Sequence, residues 1–84
     1  MPYAERWPLT PEQCRMARAA LRWSLEAAAA RSGVHRNTIQ SYEQHRRLTD
    51  AACLHKLARA FQRAGVEFTM VNGEDGVRCQ TPLN

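Results

Sequence analysis

The sequence predicts an all-α domain, a bundle of four helices, followed by a short C-terminal β-hairpin. Three observations predict it. Helix-start signals recur at Thr10, Ser24 and Thr49. Leu54, Leu57, Ala58 and Phe61 stand at i, i+3, i+4 and i+7, the apolar stripe of a helix packed on one side. Val66 to Met70 and Val77 to Gln80 alternate and are β-prone, around a turn-rich stretch holding Asn72, Gly73 and Gly76.

With 84 residues the chain has room for one compact core, in a size range where about 60% of the unfolded surface becomes buried. Residues 1–9 hold two prolines and two aromatics without helical spacing and read as an N-terminal arm. Residues 10–65 form the helical domain, and residues 66–84 the hairpin and tail. Thr10 is placed as N-cap, Pro11 suits the first helical position, Gln13 completes a capping box, and Leu9 staples against Cys14. The first helix then runs to about Trp23, with Cys14, Ala17 and Leu21 inward and Arg15, Arg18 and Arg22 on other faces.

Ser24 caps a short second helix, Leu25 to Arg31, whose first turn places Glu26 at the positive end of the helix dipole. Ser32 and Gly33 end it. A third helix is expected from His35 to Gln44, anchored by Val34, Ile39 and Tyr42. Its opposite face offers Arg36, Asn37, Gln40, Ser41 and Gln44 as a polar strip. Beyond the basic connection His45, Arg46 and Arg47, a fourth helix is expected to be capped by Thr49 and closed by Gly65.

Twelve Lys and Arg against eight Asp and Glu give a net charge of +4, which favours anionic partners without naming one. All of these cations except Lys56 are arginines, whose planar fork matches phosphates and guanine edges. Cys14, Cys53 and Cys79 are an odd set without short spacings, so neither a disulfide framework nor a zinc knuckle is expected, and the thiols read as small apolar residues in a reducing compartment. The N-terminus lacks the basic start and apolar run of a secretion signal, and no stretch approaches the roughly 20 apolar residues of a membrane span. The expectation is a cytoplasmic protein with no cofactor, no metal and no membrane contact.

Catalysis needs a nucleophile with a base in reach, or a metal cluster; the three histidines fall on separate elements with no carboxylate at a suggestive spacing, so the chain does not read as an enzyme. His55 reads as a surface residue. Trp7 and Trp23 read as packing residues rather than a stacking platform for single strands. His35 and His45 flank the third helix, where a proton taken up near pH 6 adds charge toward a phosphate.

The informative stretch is Leu25 to Tyr42. Two helices cross over so short a turn only where the crossing point is small and the backbone can turn left-handed, which Ala29 and Gly33 supply. Alanine, four on to glycine, six on to isoleucine and three on to tyrosine is the pattern of the helix-turn-helix. In LTPEQCRMARAALRWS, LEAAAARSG, VHRNTIQSYE and LHKLARAFQRAGVEF, covering residues 9 to 80, the chain resembles the lambda repressor and Cro-like regulators, the XRE family.

That resemblance implies a lambda repressor-like helix-turn-helix bundle, a transcriptional regulator whose third helix lies in the major groove of double-stranded DNA, usually as a homodimer on an inverted repeat. It places His35, Arg36, Asn37 and Ser41, with Gln40 beside them, where these regulators touch bases or nearby phosphates. Thr38, Arg46 and Arg47 suit phosphate contacts. The chain departs from the family's pattern in having Leu25 where a glutamine is customary, Ala27 where an acid is, and His45 where a glycine is. The alternative is a protein-interaction module of the same fold, antiactivator or antitoxin-like, with the hairpin edge free to pair with a partner strand or with a second copy.

Overall fold

The computed structural model describes residues 8–46 and 49–79. In chain order it contains α1 (Pro11–Leu21), α2 (Leu25–Ser32), α3 (Arg36–Glu43), α4 (Ala51–Arg63), β1 (Val66–Val71) and β2 (Glu74–Cys79). The four helices and the antiparallel two-stranded sheet are those the sequence predicts.

The capping box of α1 is formed in both directions: Gln13 N donates to Thr10 Oγ1 at 3.0 Å, and Thr10 N donates to Gln13 Oε1 at 2.9 Å. Leu9 and Cys14, the two ends of the staple, are both fully buried. The helix stops two residues earlier than expected. Trp23 N turns back to Arg18 O at 2.9 Å, and Arg22 takes a left-handed conformation with φ 58°. For a side chain with a Cβ this costs about 1–2 kcal/mol. It is offset by what the turn delivers: Trp23 stacks on Phe61 with centroids 5.5 Å apart, and Arg18 Nη1 donates to Trp23 O at 3.0 Å.

Two further boundaries differ from expectation. The cap of α4 is Asp50, whose carboxylate accepts from Cys53 N at 2.9 Å, and not Thr49. Thr49 is instead buried, its hydroxyl without a hydrogen bond among the described residues. Gly76 is not part of the turn: it pairs with Thr69 inside the sheet, where a Cβ would meet Thr69 Oγ1 at 3.0 Å. The turn is Asn72–Gly73 alone, both with positive φ, the conformation that matches the twist of the flanking strands. The arm over residues 1–7, Arg47 and Gln80 lie outside the described residues.

The core joins all the helices and the hairpin: Leu9, Ile39, Leu54, Leu57 and Phe61 are its largest fully buried members, with Val34, Tyr42 and Val66 around them. Tyr42 Oη donates to Leu9 O at 2.7 Å, tying α3 to the start of α1. A second tie is ionic. Glu43, its side chain 5% exposed, receives Arg18 Nε at 2.7 Å and Nη2 at 2.8 Å, and also the Cys14 thiol at 3.2 Å. Arg15 adds a hydrogen bond to the Glu43 carbonyl. Forked pairing satisfies both carboxylate oxygens, which makes burying this charge tolerable. Burial beside that carboxylate pushes the Cys14 thiol far above the usual cysteine range, so it is an inert hydrogen-bond donor.

Candidate nucleic-acid interface

α2 and α3 meet over Ser32–His35. Gly33 sits at φ 79° and its N–H returns to Ala29 O at 2.9 Å. A Cβ at Gly33 would touch nothing within 4 Å, so glycine is required there by backbone conformation and not by space. From this turn α3 is set down on Val34, Ile39 and Tyr42, all buried as expected. The burial of one face fixes which face looks outward.

His35 caps α3 rather than beginning it: its Nδ1 accepts from Asn37 N at 3.1 Å. An accepting Nδ1 carries no proton, so the neutral ring holds its N–H at Nε2. Arg36 and Asn37 follow in the first turn, and Gln40 and Ser41 stand four residues on from each, on the same outward side. His35 and Asn37 are exposed; Arg36, Thr38, Gln40 and Ser41 are half-buried. Arg36 Nη1 donates to Asn37 Oδ1 at 3.2 Å, so the two adjoining side chains are joined. Gln44 and Arg46 are exposed beyond the end of α3, where Arg46 N donates to Ser41 O at 2.9 Å.

The end of α3 explains one oddity of the sequence. His45 adopts φ 59°, a left-handed turn for which glycine is the cheapest residue, and its ring meets Glu12 of α1, with Nε2 and Oε2 3.0 Å apart. A hydrogen bond to its own backbone N–H lowers the Glu12 carboxyl, assisted by His45. Leu25 is equally accounted for: it packs against the core.

The strip of donors and acceptors along α3 is held outward by a packed face and preceded by a tight left-handed turn. A family model for the Cro/C1-type helix-turn-helix, the XRE family, matches residues 15–68. The chain belongs to the XRE family. It is a family of DNA-binding regulators and not of enzymes. A search of curated proteins gives no match. In this XRE protein no described helix is long and apolar enough to cross a membrane.

Three residues that position the interface were not read from the sequence in that role. Arg18 was assigned an outer face of the first helix, yet it and Glu43 fasten α3 to α1. Glu26, read only as a dipole partner for its own helix, lies against Arg36, with Oε2 and Nε 2.9 Å apart. The Nε–H is shielded from water and aimed at no acceptor among the described residues, so this is a charge contact rather than an aligned hydrogen bond. Both links join different helices, and no local spacing signals either.

Proposed function

We propose that this XRE protein is a sequence-specific transcriptional regulator that reads the major groove of double-stranded DNA with α3, as a homodimer on an inverted repeat. The observation that carries this is the outward strip of α3 itself. Arg36, Asn37, Gln40 and Ser41 present hydrogen-bonding groups over a rigid buried face, with His35 at the helix entrance. Arg pairs bidentately with guanine and Asn with adenine, each such pair supplying roughly 1–3 kcal/mol of discrimination. Thr38 and Arg46 at the two ends of the strip, with Arg47 next in sequence, serve phosphates and set register. Leu25 cannot give the phosphate contact of the customary glutamine, so the entry of α2 docks through backbone N–H groups and helix dipole alone. A reducing, cytoplasmic setting fits three free cysteines, one of them exposed.

The test is selection from a randomised duplex library at two salt concentrations, followed by sequencing of the bound fraction. An enriched inverted repeat is expected, with half-sites about one helical turn, roughly 10 bp, apart. Arg36→Ala or Asn37→Ala relaxes preference at one position in each half-site. Arg46→Ala instead weakens all sequences alike and lowers the salt slope by about 1. No enrichment, with only weak salt-sensitive binding, moves the assignment to a protein-interaction module. That second reading is favoured by one observation, the exposure of Met70 and Val71 at the hairpin tip.

A further inference from the structure

Glu26 and Arg36 approach to 2.9 Å across the angle between α2 and α3. Their side chains are 69% and 40% exposed, and the crossing is already fixed by Gly33, Val34 and Ile39. An acid at this point is costly to a DNA-binding surface, since it faces the polyanion the helix must approach. What it gives in return is visible in the guanidinium. Nε, the inner nitrogen, is held against the carboxylate, and one N–H of Nη1 goes to Asn37 Oδ1. Nη2 has no partner among the described residues.

We infer that Glu26 is a positioning residue for base recognition: it fixes the Arg36 guanidinium end-on, leaving Nη1 and Nη2 as the fork that meets guanine O6 and N7. The inference rests on the major-groove reading proposed above and deepens it. An arginine fork discriminates guanine only if both terminal nitrogens arrive together in one plane, and a side chain with four rotatable bonds does so only when something restrains it. Side-on use of Nε with Nη2 is disfavoured, because Nε is shielded from water beside the carboxylate. The same restraint reaches Asn37, whose Oδ1 accepts from Arg36 Nη1 and keeps a second lone pair, so together with its Nδ2 donors it can still pair with adenine.

The decisive experiment repeats the library selection with wild type, Glu26→Gln and Glu26→Ala, scoring guanine preference at the Arg36 position separately from affinity for unselected duplex. Removing the acid also removes repulsion. Both variants are therefore expected to bind unselected DNA as well as or better than wild type, while guanine preference at that position falls by about tenfold. Glu26→Asp, which keeps the charge on a shorter arm, is expected to retain part of it. A purely structural role would lower thermal stability and all affinities together, which the unselected-duplex arm detects. Unchanged guanine preference in both variants overturns the inference and leaves the function standing; a wild type that enriches no sequence overturns both.

Discussion

At the scale of single residues, the two histidines flanking α3 are both engaged within the protein. Protonating either was expected to add charge toward phosphate. His35, however, uses Nδ1 as the acceptor that caps α3, and a proton there destroys the cap while placing a positive charge at the positive end of a helix. In that cap the remaining ring N–H is at Nε2, the group His35 would offer a phosphate. His45 can be protonated without that loss, but its charge then lies 3.0 Å from the Glu12 carboxylate. The Glu12 carboxyl titrates below its ordinary value, so it stays ionised throughout pH 6–8, a fixed negative charge beside the end of α3. Glu12→Gln removes that charge and should tighten binding to any duplex, by a similar factor at pH 6 and at pH 8. Fluorescence anisotropy on one duplex at both pH values checks it. Unchanged affinity in Glu12→Gln would show that this end of α3 does not face the nucleic acid.

At the scale of elements, one amide ties the backbone of the hairpin to the helices, beside the packing of Val66, Phe68 and Val77 on the core. Gln13 Nε2 donates to Thr69 O and to Gly76 O, each at 3.1 Å, while its Oε1 completes the capping box with Thr10. Every polar atom of that side chain is used, and the residue is buried. Gln13→Glu keeps the acceptor and replaces the donor by a second oxygen facing two carbonyls. It should loosen β1 and β2 and cost about 1–3 kcal/mol, the desolvation penalty of polar groups left unmatched. Amide hydrogen exchange resolves the outcome by element: faster exchange across residues 66–79 with α3 unchanged is expected, whereas a uniform rise would mean the amide supports the whole bundle. The capping half of the Gln13 role was legible in the sequence because it spans three residues; the hairpin half, 56 and 63 residues away, was not. The same division runs through the fold. The caps at Thr10 and Ser24 and the left-handed turn at Gly33 are local and were read correctly; the hairpin turn was placed around Asn72 and Gly73 but extended to Gly76, which pairs inside the sheet. Thr49 and Asp50 are both competent caps in adjacent positions, and tertiary packing chose between them by burying the threonine. The polar strip of α3 was legible as a pattern, but the Glu26 contact to Arg36 depends on the angle between two helices.

At the scale of the molecule, the question is whether one copy can read an operator. α3 is eight residues long, and on the proposed reading its two best-suited side chains, Arg36 and Asn37, would together supply about 2–6 kcal/mol of base discrimination. Specific sites are bound about 4–10 kcal/mol more tightly than random DNA, so a single copy falls toward the bottom of that range and two copies on a repeated half-site reach it. The region best suited to join them is the hairpin. Its two strands pair only with each other among the described residues, and Met70 and Val71 stand 51% and 62% exposed near its tip. An unpaired strand edge beside exposed apolar side chains is what a second copy can cover. Sedimentation velocity at tens of micromolar should therefore give twice the 9.6 kDa chain mass, and Met70→Lys with Val71→Lys should restore the single-chain mass while leaving helical circular dichroism intact. On an enriched inverted repeat the doubly substituted protein should occupy the two half-sites independently, with a shallower binding curve than wild type. A wild type that sediments as one chain, and whose selected sites contain a single half-site, would place operator reading in the monomer and leave the hairpin for a different protein partner.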